Sequence, residues 1–281
     1  MEKMSSQKDE SMQVTELKAQ IGAKLLKNIV NIQNTIVNDG KIFFNGEYIE
    51  MNDVDPAHVM MITQKIPVSE FLEYHNSNDV TLGLSLDRLS SVLKSIKKDD
   101  VLKLSYDENN DKLITQIGAF NQKISLLDSE EMPSPKQPNL DLGAKVTIDA
   151  KEFYDFLRQA GGVSDHMEIS TYNDMLYLFA ENCDETDHVL VKYHKSDLKQ
   201  FSVRKDNDVY ASLFSIDYLI SVVRLIKMKY DDIVIHFGND MPLRIECKNG
   251  TETVVLLAPR IEDENYGRFD RIKRGYESIP D

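Results

Sequence analysis

Cysteine is almost absent from this chain: Cys183 and Cys247 are the only two in 281 residues. Two thiols so far apart make neither a disulfide framework nor a zinc site, which needs clustered ligands. Both suit a reducing interior. Glycine and proline are scarce, at 12 and 8, which excludes collagen-like and broadly disordered chains. No apolar run reaches the length of a transmembrane helix, and Met1 to Ser11 is polar and charged, without the apolar core of a signal peptide. The chain therefore reads as soluble and intracellular. Positive charge is in short supply too, with 33 Lys and Arg against 47 Asp and Glu and a net charge of −14. As a whole-chain sum this opposes nucleic-acid contact, which needs cations at phosphates. Charge can, however, be segregated onto one face.

Motifs that carry chemistry are missing as well. The histidines are His58, His75, His166, His188, His194 and His236, and none makes a His-x-x-x-His or His-Glu-x-x-His spacing. His188 and His194 can share one face of a strand, but no carboxylate cluster completes a metal site. There is no Gly-Lys-Ser/Thr phosphate loop and no Gly-x-Ser-x-Gly elbow, and Gly161-Gly162 reads as a helix end. Neither a metal nor a cofactor is expected, and an enzyme is not.

What the chain does have is a repeat. Ser85-Leu86-Asp87-Arg88-Leu89-Ser90-Ser91-Val92-Leu93-Lys94-Ser95-Ile96-Lys97 and Ser215-Ile216-Asp217-Tyr218-Leu219-Ile220-Ser221-Val222-Val223-Arg224-Leu225-Ile226-Lys227 agree at seven of thirteen positions at one offset. Each is followed by Asp-Asp-aliphatic (Asp99-Asp100-Val101, Asp231-Asp232-Ile233), a strand (Leu102 to Tyr106, Val234 to Phe237), an Asn-Asp turn (Asn110-Asp111, Asn239-Asp240) and another strand. The remaining parts also match. Gln20 to Ile36 reads as a helix before strands Lys41–Phe44 and Tyr48–Met51. Ala150 to Ala160 reads as a helix before strands Met167–Thr171 and Leu176–Ala180. Helices separated by antiparallel hairpins imply an α+β architecture of two similar halves, not a doubly wound parallel sheet. Asp128 to Asn139 holds three prolines within six residues, Pro133, Pro135 and Pro138, and so reads as an extended surface connector. The expected division is a tail at 1–11, domains at 12–127 and 144–264, a connector at 128–143 and a second tail at 265–281, with Met12 as the ordered start.

On helical wheels the four helices bury Leu25, Ile29, Ile32 and Ile36; Leu86, Leu89, Leu93 and Ile96; Phe153, Phe156, Leu157 and Ala160; and Ile216, Leu219, Val223 and Ile226. Their far faces carry eight cations (Lys24, Lys27, Arg88, Lys94, Lys98, Lys151, Arg158, Arg224) against three anions (Asp87, Asp155, Asp217). In so acidic a chain this is a segregation of charge. The cations suit loose, sequence-independent phosphate contact. The faces carry no aromatic platform for single strands. A set of ordinary solvated helix faces remains the plain alternative.

Three further segments carry a resemblance: Asp55-Pro56-Ala57-His58-Val59, Phe237-Gly238-Asn239-Asp240-Met241-Pro242-Leu243 and Leu256-Leu257-Ala258-Pro259-Arg260-Ile261-Glu262. Together, in that order from about Met12 to Glu264, they resemble the DNA sliding clamps of the proliferating cell nuclear antigen family, the archaeal branch most. The resemblance implies sliding-clamp domains with helices inside and antiparallel sheets outside, assembled head to tail as a trimeric ring of this chain or its paralogues. It implies a non-enzymatic processivity factor that encircles duplex DNA in replication and repair. Its partners would be DNA polymerase, a clamp loader, a flap nuclease and DNA ligase, bound through short peptides, with no membrane role. The setting would be the cytoplasm at the nucleoid in an archaeon, or the nucleus in a eukaryote. The eight cations named above become candidate DNA contacts, with Arg88, Lys98 and Lys151 placed by the wheel alone. Asn28 and Ser91 stand where relatives often carry lysine. The partner pocket would comprise Val54, Met132, Leu140, Pro242, Leu256, Ala258, Pro259 and Ile261, under a connector richer in proline than the family pattern. The strands expected at the subunit edges are roughly Leu113 to Ile117 and His188 to His194. Gly267 to Arg274 extends past the family's usual end. The alternative from another class is an α+β enzyme or a small-molecule binding protein.

Overall fold

The computed structural model describes residues 16–204 and 209–261. Met12, both expected tails and the segment Gly267 to Arg274 lie outside the described residues. The first half runs β1 (Leu17–Gly22), α1 (Ala23–Gln33), β2 (Asp39–Phe44), β3 (Tyr48–Val54), β4 (Met60–Pro67), β5 (Phe71–Asn76), β6 (Val80–Ser85), α2 (Leu86–Val92), β7 (Val101–Asp107), β8 (Lys112–Ile117) and β9 (Phe120–Ser125). The second runs β10 (Ala144–Asp149), α3 (Ala150–Ala160), β11 (His166–Tyr172), β12 (Met175–Glu181), β13 (His188–His194), β14 (Gln200–Val203), β15 (Val209–Ser215), α4 (Ile216–Ile226), β16 (Asp232–Phe237), β17 (Leu243–Asn249) and β18 (Thr251–Leu257). The two halves have the same order of strands and helices, as the repeated segments require.

The strands form sheets ordered β5-β1-β7-β8-β9, β14-β10-β16-β17-β18-β4-β3-β2-β6 and β13-β12-β11-β15. The long sheet is two pieces fused where β18 pairs antiparallel with β4, Val255 opposite Ile62. The helices lie side by side in the order α2, α1, α4, α3, packed on one face of the sheets. Their apolar stripes explain this. Leu26, Ile29 and Val30 pack with Phe44, Met51 and Leu84 in one core. Phe153, Leu157, Val222 and Val223 pack with Phe237 and Ile245 in the other. Ile32 of α1 and Ile36 of the turn after it belong to that second core, so the first half is bolted to the second. Each such side chain contributes roughly 1.5–3 kcal/mol by leaving water.

A polar chain crosses the junction beneath the helices. Gln33 Nε2 donates to Asp53 Oδ2 at 2.6 Å and to the Ile62 carbonyl at 3.1 Å. Gln64 Nε2 donates to Gln33 Oε1 at 3.0 Å, and Thr253 Oγ1 donates to Gln64 Oε1 at 3.3 Å. Burial raises the Asp53 carboxyl pKa, against the lowering effect of the Gln33 hydrogen bond. Buried polar groups satisfied in this way help to specify one docking of the halves.

Four expectations are corrected. The first helix begins at Ala23, not Gln20, because Leu17, Ala19 and Ile21 alternate inward as β1. The wheel therefore turns: Leu26 and Val30 are buried with Ile29, and Leu25 is only half-buried. The helix from Leu86 ends at Val92, so Lys94 lies in the closing turn and Lys98 in the following loop. Ser91 Oγ bonds back to the Asp87 carbonyl at 2.8 Å, a serine habit that weakens helices, and exposed Ser95 replaces the core-packing Leu225 of α4. Finally, Leu113 to Ile117 is not an edge strand. Gly118, at φ +57°, turns the chain back so that β9 covers β8, and the edge is β9.

Candidate functional site: a cationic helical face and an outer groove

Asp149 caps α3 by accepting from the backbone N–H groups of Lys151 and Glu152, both at 2.8 Å. This sets the rotation that puts Lys151 and Arg158 in solvent. Lys24, Arg88, Lys94 and Arg224 are also exposed around the four-helix layer, and Lys98 is exposed in its loop. Lys27 is half-buried and donates to the Lys94 carbonyl at 3.3 Å, tying α1 to the end of α2. Arg158 and Arg224 stand in the last turns of α3 and α4, where a cation also complements the helix dipole. Of the three anions, Asp87 is engaged by Asn34 Nδ2 at 3.0 Å, while Asp155 and Asp217 are exposed. Lys227, not singled out from sequence, sits with its Nζ 4.2 Å from the Tyr154 ring centroid, at the seam of α3 and α4. Its place in the repeat, opposite Lys97, was the available signal.

The opposite face is built by strand register. Gly83 pairs with Lys41, Asn52 with Thr63, Thr63 with Val254, and Val254 with Glu246, all pointing outward. The connector lies along this row. Lys41 Nζ donates to the carbonyls of Ser129 (3.3 Å) and Met132 (3.0 Å) and to Ser134 Oγ. Asn52 Nδ2 donates to the Pro135 carbonyl at 2.7 Å. Gly83 must be glycine: a Cβ there would sit 2.6 Å from the Leu127 carbonyl oxygen and 3.1 Å from Met132 Sδ.

The next outward row, toward the loops, is Val54, Met61, Leu256, Arg244, His236 and Lys145, each opposite its neighbour. Its first three members form an apolar floor, with Met61 and Leu256 nearly covered and Val54 half-buried. The loop side is closed by Val59, Pro242, Ala258 and Pro259, all half-buried. Ala258 N–H donates to the Val59 carbonyl at 2.8 Å, and Arg260 N–H to the Leu213 carbonyl at 2.7 Å. Asp55 shapes this rim: its carboxylate accepts from the N–H groups of Ala57 (3.1 Å), Val59 (2.7 Å) and Met60 (2.6 Å).

Of the residues expected in a pocket, the structure thus gathers Val54, Pro242, Leu256, Ala258 and Pro259. Ile261 follows at the rim with 78% of its surface exposed. Met132 is placed elsewhere, against Gly83 of β6, two strands beyond Val54. Leu140 is half-buried on the connector. Val59 and Met61 were missed, because the pairing of β4 with β3 and β18 that brings them in is invisible in one sequence. Among the described residues no group of His, Cys, Asp and Glu is clustered to hold a metal ion, and no helix is long and apolar enough to cross a membrane.

A duplicated shell, with one helical face bearing cations and one sheet face bearing an apolar groove under a connector, defines the class of sliding-clamp folds. Comparison with known proteins agrees. Residues 15–132 match the model of the proliferating cell nuclear antigen N-terminal domain. The chain is 33% identical over 254 residues to the DNA polymerase sliding clamp of Methanococcoides burtonii, covering 88% of this chain and 99% of that one. It is 32% identical over 251 residues to that of Methanosarcina barkeri, again covering 88% and 99%. The solved structure of A. fulgidus PCNA with the C-terminal region of FEN-1 bound superimposes with a TM-score of 0.80, at 27% identity over 88% of this chain and all of that one. The chain belongs to the DNA polymerase sliding clamp family.

Proposed function

We infer that this chain is a subunit of a ring that encloses duplex DNA and tethers DNA polymerase and other replication and repair proteins to it, doing no chemistry of its own. The observation that carries this reading is the pairing of β18 with β4 inside the chain. In the repeat, β9 occupies the place of β18 and β13 the place of β4, and both are sheet edges. The contact that joins the halves can therefore recur between chains, head to tail. Such a heterologous contact closes into a ring when the rotation allows, and three two-domain subunits would give six similar units. Open edges left unpaired are a liability that assembly removes.

In this reading residues 12–127 and 144–264 are the two clamp domains and 128–143 the connector. Lys24, Lys27, Lys94, Arg158 and Arg224 face the DNA, with Arg88, Lys98 and Lys151 at the margins. Thin phosphate contact and enclosure hold the duplex without reading its sequence. Val54, Leu256, Pro242, Ala258, Pro259 and Ile261, with Leu140 of the connector, receive the apolar and aromatic side chains of partner peptides from polymerase, flap nuclease and ligase. The clamp loader opens the ring, and the soluble protein works where the DNA is. The solved complex of the A. fulgidus relative with a FEN-1 peptide supports such docking.

Mass measurement on the pure protein tests the assembly. A ring gives about three times 32.2 kDa, alone or with paralogues, and stimulates a cognate polymerase on primed circular DNA. A stable monomer without that effect, alone or mixed with paralogues, sinks the reading.

A further inference from the structure

The strand row that supplies the apolar floor of the groove does not end at Leu256. The same outward row continues through Arg244, His236 and Lys145, one strand further at each step. Arg244 and His236 are largely shielded, with 25% and 17% of their side chains exposed. Arg244 Nε donates to Glu246 Oε1 at 2.5 Å, and no other hydrogen bond or ion pair of its guanidinium is found among the described residues. His236 Nε2 is buried and lies 3.3 Å from Glu246 Oε2. Glu246 thus meets two cationic or imidazole groups, and Lys145 adds a second full positive charge beside His236. At the other end of the groove the connector begins with Asp128, Glu130 and Glu131. The groove is therefore acidic at its β6 end and cationic at its β10 end.

We propose that Arg244, seconded by Lys145, recognises an acidic side chain in partner peptides, three or four residues from their apolar anchor. The proposal rests on the docking reading above and adds a selectivity to it. The spacing follows from geometry. An anchor seated over Leu256 has Arg244 one strand away, about 4.8 Å, and one turn of peptide helix advances about 5.4 Å. Planar guanidinium donors suit a carboxylate better than the point charge of lysine. Charge opposition along the groove also fixes which way the peptide lies, since the reverse direction would bring its carboxylate against the connector's acids.

The test uses the full-length clamp and synthetic peptides with an aliphatic–aromatic anchor. Glu or Gln is placed four residues before or after that anchor, and affinity is read by fluorescence anisotropy at low salt. One of the two Glu placements binds roughly fivefold tighter than its Gln counterpart. Arg244→Gln abolishes that preference without changing affinity for the Gln peptide, Arg244→Lys keeps part of it, and Glu246→Gln, which frees the guanidinium, leaves it intact or enlarges it. Equal binding of Glu and Gln peptides in both placements, or a preference that survives Arg244→Gln, overturns the inference while docking stands. If no peptide binds, the docking reading falls and the inference falls with it.

Discussion

Tyr218 of α4 donates its hydroxyl to Asp55 Oδ2 at 3.1 Å, across 163 positions of sequence. It couples the helical face of one half to the loop that forms the rim of the outer groove. The two faces are thus joined mechanically at a single carboxylate, which is itself buried.

Tyr218→Phe removes one hydrogen bond and keeps the ring, so it costs about 1 kcal/mol. Asp55→Ala leaves three backbone N–H groups of the rim without their acceptor and costs more, about 2–3 kcal/mol. It also weakens peptide binding, because Val59 loses its position. Denaturant melts together with peptide titrations check both; equal losses from the two variants contradict the assignment.

Inner and outer faces separate by mutation. Lys94→Glu with Arg224→Glu reduces clamp-dependent synthesis on primed circular DNA, most at low salt, where phosphate contact is least screened, and leaves peptide affinity unchanged. Pro259→Ala or Ile261→Ala weakens peptide affinity and leaves retention on DNA. Loss of one shared property by both sets contradicts the division of roles.

The thiols differ by burial. Cys183 is exposed and Cys247 is buried, its thiol pushed up to about 12 by burial. Because the thiolate is the reactive form, a thiol reagent at neutral pH modifies one cysteine in the native chain and two after unfolding. Rapid modification of both in the native protein runs against this packing.

Burial pushes the Lys229 ammonium down to about 8, with Glu70 opposing. Between pH 8 and its ordinary value of 10.5 the folded chain binds fewer protons here than the unfolded one. This group therefore makes stability rise with pH across that window. Lys229→Met removes the dependence, so its stability advantage over the native chain is largest below pH 8 and shrinks toward pH 10. A gap that stays constant with pH would show that Lys229 titrates normally.

Legibility in the sequence followed the strength of the local signal. The helix at Ala150–Ala160 was readable to the residue, since a 3.6-residue apolar stripe and the glycines at 161 and 162 agree. The start of α1 was not, because β1 offers only Leu17, Ala19 and Ile21 as an alternating signal and runs straight into the helix. α2 ends early where an exposed Ser95 stands in place of the Leu225 that packs on the core in α4, and Lys98 falls outside the helix.

The sequence by itself determined the duplication, the α+β class, the collection of cations on the four helices and the family motifs around Val54, Pro242 and Ala258-Pro259. These are periodic or contiguous properties, carried by neighbours in the chain. Only the tertiary structure decided that β9, not β8, is the open edge, that Met132 braces the connector on Gly83, and that Met61 and Arg244 share a row with Leu256. Those relationships depend on the register between strands far apart in sequence, where a shift of one residue would turn every side chain to the opposite face.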